Sequence, residues 1–585
     1  MTDLPLRKLA QAFSALEATR SGNEMVGILA ELFRETPAQI IDKVCYFIAG
    51  GLAAEYEHVV LGIGERLLAQ ALARAAERPL GQIDVLHDEL GDFGLVAERV
   101  LAGRSRKDSE LTVGQLHARL LKLAQTSGTG SQEAKLDQLV EFFRASDAQE
   151  ARYLARIVLG VLRLGAGTMT VLNALAVAFS GEKREKSRLE QAYNLCGDLG
   201  LVARRLASGG PEAVSRIEIQ VGHPIRMMAA QRAQRLAEIT ERMTEGLSAE
   251  EKYDGERVQC HKDGQQVRIF SRSLDEITAQ YPDVAQRVAQ QLKTERAIVE
   301  GEVVAIDPDD PDHLLEFQRL MSRKRKHQIA RYVEEIPTRL FLFELLYADG
   351  EALLNRPYPE RRRRLEVLVE PAAGIGLSRA LFSSDLDRIE EFFNRALEHG
   401  CEGIIAKSCA PDSVYRAGAR AWSWIKWKKD YSAELADTFD LAIVGGFAGR
   451  GKRSGRWGAL LCAAYNRERD RYETFCKVST GFSDEELAEF YQQLKAGELE
   501  EQPARVDSQL IPSRWFEPTM VIEVQGAEIT RSPLHSCGRE ELGEGLALRF
   551  PRFNRLRDDK SPEEATTVAE ILALYRQANH QDKSV

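Results

Sequence analysis

A chain of 585 residues, 44% of them hydrophobic, is too long for a single core and too apolar to be largely disordered, so about three domains are expected. Its net charge of −10 gives no overall attraction for a polyanion, so any nucleic-acid contact must come from local basic patches. The eight cysteines contain no C-x-x-C pair, which argues against a zinc ribbon or redox motif and suits a reducing cytoplasm. The N-terminus shows no secretory leader and no segment approaches the ~20 apolar residues of a membrane span, so a soluble cytoplasmic protein is expected.

Residues from about 5 to 210 carry apolar positions at three- and four-residue spacing, as in Val59–Leu72 and Ala151–Leu164, and read as helical throughout. An internal echo links Leu90-Gly-Asp-Phe-Gly-Leu-Val-Ala-Glu-Arg-Val-Leu-Ala-Gly103 with Cys196-Gly-Asp-Leu-Gly-Leu-Val-Ala-Arg-Arg-Leu-Ala-Ser-Gly209. In each, a Gly-Asp cap starts a helix that ends at glycine. Two readings stay open: capped core helices, or helix starts whose amides bind phosphate. Leu136–Phe143 loosely resembles a sliding-clamp-binding peptide, but leucine stands where glutamine is expected, and a core helix is the better reading.

Near Ile217 the pattern changes. Strand runs at Gln266–Phe270, Ala297–Ile306, Arg339–Leu346 and Gly403–Ala406 alternate with charged helices such as Asp385–His399, giving an α/β portion to about Tyr431. Short strands at Leu441–Gly446, Ala459–Tyr465, Tyr472–Lys477, Met520–Val524 and Leu546–Phe550 then suggest a small barrel. Val444-Gly-Gly-Phe-Ala-Gly-Arg-Gly-Lys-Arg-Ser-Gly455 lacks Walker spacing and reads as a barrel turn whose basic residues touch DNA backbone. Arg323-Lys-Arg-Lys326 and Arg361–Arg364 read as solvated or DNA-facing. The expected domains are residues 1–216, 217–431 and 432–585.

The run Glu250-Glu-Lys-Tyr-Asp-Gly-Glu-Arg-Val-Gln259 places one lysine in a tight acidic turn. A lysine amine is a nucleophile only when deprotonated, and burial, a nearby cation or a metal favours that form. K-x-D-G alone is too short to distinguish such an amine from a surface loop.

Its context is more informative. Lys-Tyr-Asp-Gly-Glu-Arg resembles the nucleotidyl-lysine motif of the covalent nucleotidyltransferases, and companion motifs follow in order. These are Phe270-Ser-Arg-Ser273, Val299-Glu-Gly-Glu-Val-Val-Ala305, Leu342-Phe-Glu-Leu-Leu-Tyr-Ala-Asp-Gly350, Glu402-Gly-Ile-Ile-Ala-Lys407 and Trp424-Ile-Lys-Trp-Lys-Lys-Asp-Tyr431. Leu548-Arg-Phe-Pro-Arg-Phe-Asn-Arg-Leu-Arg-Asp-Asp-Lys560 completes the series. Over nearly its whole length the chain resembles the archaeal and eukaryotic replicative type of ATP-dependent DNA ligase. The resemblance implies an all-α DNA-binding domain, an α/β (ATP-grasp-like) adenylation domain and an all-β OB-fold domain.

It also implies roles. Lys252 attacks the α-phosphate of ATP and carries AMP, and Glu250 recognises the adenine amino group. Arg257 and Arg272 hold ribose and phosphate through forked donors. Phe343 stacks on adenine. Glu302 and Glu402 suit Mg²⁺ or Mn²⁺, with a ribose contact left open for Glu302. Lys426 and Lys428, two apart on a strand, face the α-phosphate together, and Arg420 binds nucleotide. Arg552, Arg557, Asp559 and Lys560 orient the leaving pyrophosphate; the apolar Phe550 and Phe553 between them fit poorly with an exposed basic tail. The partner implied is nicked duplex DNA, with a sliding clamp as a further candidate, no membrane, and a monomeric enzyme. The long helical region and Arg-Phe-Pro-Arg-Phe argue against a capping enzyme or RNA ligase. The missing tetracysteine site argues against an NAD-dependent ligase. Retention of the lysine and its charged partners argues against a non-catalytic DNA-binding scaffold.

Overall fold

The computed structural model describes the chain outside residues 1–2, 104–110, 129, 163, 181–184, 234, 311–312, 316, 322, 324–328, 371–373, 429–437, 450–455, 496, 527 and 581–585. Two compact units emerge: Met1–Ala71 with Leu101–Ser432, and Leu72–Val100 with Ala433–Val585. Among the described residues no helix is long and apolar enough to cross a membrane.

The first part of the first unit is helical up to Ser215. Each helix buries one stripe, as Leu9, Phe13 and Leu16 do in Leu6–Ala18. Helix Ser131–Ala145 buries Leu136, Leu139, Val140, Phe142 and Phe143, so the clamp-like stretch is core. The echo is a pair of capped helices. Asp198 Oδ1 accepts from Leu201 N at 2.9 Å at the start of Leu199–Ser215; in the second unit Asp92 Oδ1 accepts from Leu95 N at 3.0 Å ahead of Phe93–Leu101. An aspartate therefore already occupies an amide at each start, which favours the core reading. Helix Leu199–Ser215 is broken at Gly210, where φ is +69°, just before Pro211.

Two sheets follow. The first has strand order β1-β11-β10-β2-β9, from β1 (Ala229–Arg232), β2 (Leu247–Lys252), β9 (Ala380–Phe382), β10 (Gly403–Ser408) and β11 (Arg420–Lys428). The second runs β4-β3-β5-β6-β7 with β8 beside β6, from β3 (Glu256–Asp263), β4 (Gln266–Ser271), β5 (Arg296–Ala305), β6 (Thr338–Ala348), β7 (Glu351–Ala352) and β8 (Ile375–Leu377). Ile225, Met228, Ile298, Leu346, Tyr415 and Trp424 form a core that takes residues from both sheets. The chain passes from one sheet to the other at Tyr253-Asp254-Gly255. A Cβ on Gly255 would stand 2.3 Å from Val303 O, so only glycine lets the turn lie against β5.

The arginine run at 361–364 is not the solvated face expected of it. Helical geometry splits it. Arg361 is buried, its Nε and Nη2 each donating at 2.8 Å to the two oxygens of buried Glu344. Arg362 is buried against Ser378 and Glu366, while Arg363 is exposed. Arg323 is also buried, its Nη1 donating to Asp283 at 2.8 Å; Lys324, Arg325 and Lys326 lie outside the described residues. Replacing Arg361 by Ala strands the Glu344 carboxylate in the core. Urea denaturation should then show the unit destabilised by about 3–5 kcal/mol, and an unchanged midpoint would contradict the buried pair.

The second unit is built on the antiparallel strands β12 (Thr438–Ala448), β13 (Trp457–Asn466) and β14 (Arg471–Val478). Strand Val521–Gln525 pairs with β12 and with Arg552–Leu556, curling the sheet around Phe439, Leu441, Leu460, Phe475 and Phe553. Val444–Ala448 of the glycine-rich run belong to β12 itself, and the Arg450–Gly455 portion read as a basic turn lies outside the described residues. Phe553 is buried and stacked on Phe482 at 4.3 Å, but Phe550 is exposed at φ +51°, so only one of the two phenylalanines anchors this segment.

Candidate active site

Lys252 is the last residue of β2, and strand alternation puts Glu250 on the same face, with Glu251 and Tyr253 behind. The rear face is locked. Tyr253 stacks on Phe341 at 4.0 Å and 6°, and its hydroxyl donates to Glu251 Oε2 at 2.8 Å. His399 Nδ1 lies 2.9 Å from Glu251 Oε1. The strand that presents the amine is therefore fixed by side chains distant in sequence.

Lys252 Nζ contacts Glu402 Oε2 at 2.5 Å, and Lys428 Nζ contacts the same oxygen. Glu402 lies just before β10; a Cβ on the next residue, Gly403, would fall 2.2 Å from Trp427 O. Glycine thus lets β10 approach β11 closely enough to bring Glu402 to Lys428. Burial opposes the Glu402 charge, but Lys252 and Lys428 outweigh it and hold the carboxyl at about 2. Burial and then Glu402 push Asp254 up to about 6. Burial also drives Glu302 on β5 up to about 7, with Lys252 and Arg257 opposing and Glu402 and Asp254 adding to the rise.

Arg257 on β3 is half-buried beside Glu302, its register partner on β5. Its Nη2 donates to Glu300 Oε2 at 2.8 Å and its Nη1 to Met228 O at 2.7 Å, whereas Nε is buried with no partner among the described residues. Glu300 is further gripped by Gln259 at 2.9 Å and the Tyr415 hydroxyl at 2.8 Å. Phe343 is half-buried and stands edge-on to Trp424 at 6.2 Å and 79°, with the Arg257 guanidinium 5.4 Å from its ring centre.

Glu250 is buried. Ser378 Oγ donates to its Oε2 at 2.6 Å, Lys407 Nζ lies 2.9 Å from its Oε1, and the Tyr358 hydroxyl also donates to Oε1. Lys407 is itself buried, bonds Phe343 O at 2.8 Å and lies 4.6–4.9 Å from the ring centres of Trp424, Phe343 and Tyr358. Burial lowers its ammonium below the usual lysine range, against the pull of Glu250 and Glu344.

Lys426 and Lys428 share one face of β11. Burial lowers Lys426 as well, followed by the fields of Lys428, Lys252, Arg420 and Arg272. Lys426 thus feels four other cations, a demand for a polyanion. Arg272 and Arg420 are exposed.

In the second unit, Arg557, Asp559 and Lys560 form one network. Arg557 Nη1 donates to both oxygens of Asp440 at 2.8 and 2.9 Å, its Nε and Nη2 reach Asp559 at 2.8 Å, and Lys560 Nζ reaches Asp440 at 2.7 Å. The Arg557 contact holds Asp559 down at about 2. Arg552 stands apart and exposed.

The structure therefore brings together Lys252, Arg257, Glu302, Glu402, Lys426 and Lys428, with Arg272 and Arg420 at the rim. Sequence reasoning gave no role to Asp254, Glu300, Tyr358, Lys407, Tyr415 or Trp424. For two of these a signal existed: Glu300 and Glu302 are two apart on a strand, and Lys407 closes the Glu402–Lys407 motif.

Three family models match: "DNA ligase N terminus" over residues 5–176, "ATP dependent DNA ligase domain" over 227–428 and "ATP dependent DNA ligase C terminal region" over 453–560. The chain is 46% identical to DNA ligase 2 of Thermofilum pendens over 98% of both proteins. It is 42% identical to a DNA ligase of Aeropyrum pernix, again covering 98% of each. The solved structure Pmar-Lig_PreS3 shares its fold, with a TM-score of 0.52 at 19% identity over 94% of this chain and 99% of that one.

Proposed function

We propose a residue-level mechanism on one premise: the chain belongs to the ATP-dependent DNA ligases. It seals nicks in duplex DNA through an enzyme adenylate, in replication, repair or recombination. The observation that carries the mechanism is the position of Lys252, at a strand end where one carboxylate, Glu402, holds both it and Lys428.

ATP enters with its base beside Phe343 and Glu250. The Glu250 carboxylate accepts from the adenine amino group, and Ser378, Tyr358 and Lys407 fix its direction. The unpartnered Nε of Arg257 is left to donate to the nucleotide. Arg272, Arg420, Lys426 and Lys428 draw the phosphates to the amine and neutralise charge as it develops. Lys252 gives up its proton to water and attacks the α-phosphorus in line; a P–N bond forms and the bond to pyrophosphate breaks. Arg552, Arg557, Asp559 and Lys560 orient that leaving group. An oxygen of the nick's 5′-phosphate then takes the AMP and restores the Lys252 amine, after which the 3′-hydroxyl attacks the activated phosphorus and AMP departs.

Magnesium or manganese fits the carboxylates present. Glu302, Glu402 and Asp254 are hard oxygen donors; burial first, and then the neighbouring carboxylates, raise Asp254 and Glu302. Among the described residues no group of three forms a complete metal cage, and magnesium commonly completes its shell with water and phosphate. Glu302 and Glu402 would hold the ion, which would supply positive charge to the phosphates.

Residues 1–216, 217–431 and 432–585 act as DNA-binding, adenylation and OB-fold domains of a monomer working in the cytoplasm at the nucleoid. A sliding clamp is a further partner. The test is a panel of α-labelled ATP, GTP and the adenylate-labelled dinucleotide NAD, each offered with magnesium and a nicked duplex. Label should pass from ATP alone to the protein and then to the DNA. Label from GTP would move the reading to capping chemistry.

A further inference from the structure

The turn that carries Arg272 is gripped by the helical part of the chain. Residues 271–275 close on themselves: Ser271 N donates to Asp275 O at 2.9 Å, Leu274 N to Ser271 O at 3.0 Å, and Ser273 Oγ to Asp275 Oδ2 at 2.6 Å. Leu274 lies at φ +70°, a left-handed conformation that a branched side chain avoids. Such strain persists only where the surroundings hold it, and it gathers at functional sites.

The restraints come from three points. Tyr56 is buried and stands edge-on to Phe270 at 6.3 Å and 87°, and it shares a small core with Ala54, Phe270 and Leu274. Its hydroxyl lies 2.9 Å from His223 Nδ1, which fixes the ring from the other end. The helix cap at Gly197 lies under the turn, where a Cβ would stand 3.2 Å from Leu274 Cδ1. His58 Nδ1 sits 3.5 Å from Asp275 Oδ1 at the exposed edge. Arg272 projects from the middle of this clamped turn, close enough to lower the Lys426 ammonium.

We propose that Tyr56 is a positioning residue for self-adenylation: by holding the strained turn at residues 271–275 it presets Arg272 for the nucleotide. The proposal rests on the reading of Arg272 as a nucleotide-binding group. Its consequence is that a residue of the helical part acts on a step in which no DNA takes part.

The experiment measures lysyl-AMP formation by the full chain with α-labelled ATP, magnesium and no DNA, over a range of ATP concentrations. Arg272→Ala should lower the rate at subsaturating ATP by roughly 100-fold. Tyr56→Ala should lower it roughly tenfold, as an increase in the ATP concentration giving half-maximal rate. Tyr56→Phe keeps the ring against Phe270 and should stay within about twofold of the unsubstituted protein. The double variant Tyr56→Ala/Arg272→Ala should be no slower than Arg272→Ala alone, since positioning requires the group positioned. A Tyr56→Ala protein with unchanged ATP dependence, or a loss that multiplies in the Arg272→Ala background, overturns the proposal and leaves Arg272 in its role. An Arg272→Ala protein that adenylates normally overturns the Arg272 reading, and the proposal falls with it. Should Tyr56→Ala not fold, Asp275→Ala loosens the turn from its exposed edge. It should show a roughly threefold loss of the same kind, and an unchanged ATP dependence there also overturns the proposal.

Discussion

Replacing Lys252 by Ala should abolish sealing of ordinary nicks, by roughly 10⁴-fold or more, because it removes the amine assigned to carry the adenylate. Stability should be little affected. Lys252 is only half-buried, and its partner Glu402 keeps Lys428. Binding of a nick should survive, and a nick that already carries a 5′-adenylate should still be sealed, because that substrate enters after the step Lys252 performs. Gel assays on the two substrates separate these steps. Sealing of both kinds by the variant would show that the covalent carrier lies elsewhere.

Glu402→Gln should be the next most damaging change, costing roughly 10²–10³-fold in lysyl-AMP formation. The amide keeps the shape and loses the charge, so Lys252 and Lys428 lose their shared anchor and the site loses a carboxylate that they hold ionised. The defect should also appear as a raised magnesium requirement, since hard oxygen ligands set affinity for that ion. A variant that adenylates within tenfold of normal at unchanged magnesium would remove Glu402 from the site.

Much of this was legible in the sequence, and the failures share a cause. Strands such as β5 and β6 declared themselves through apolar runs, and the motifs singled out Lys252, Glu302 and Glu402, which the structure brings together. Strand β2, Leu-Ser-Ala-Glu-Glu-Lys, did not read as a strand because four of its six residues are polar or charged, yet five of the six are buried. What allows this lies far along the chain: Tyr358, Ser378 and Lys407 satisfy Glu250, and His399 satisfies Glu251. No local pattern announces a partner more than a hundred residues away.

The same holds for Arg361. Four consecutive arginines look solvated, and only the helix that divides them, with Glu344 waiting on β6 for Arg361 and Ser378 for Arg362, turns two into buried residues. Lys407 sat in a recognised motif without a task. Its register opposite Ser248, and its reach to Glu250 and Phe343, define what it supports. The strained turn under Arg272 was invisible for a different reason, because leucine is a residue from which a left-handed conformation is not anticipated.

The most direct measurement is peptide mass spectrometry of the protein after brief exposure to magnesium and ATP. The peptide containing Lys252 should carry one added AMP through an acid-labile bond, and the modification should disappear when a nicked duplex is supplied. Folded, intact protein with an unmodified Lys252 under those conditions, or the adduct on another residue, would contradict the assignment.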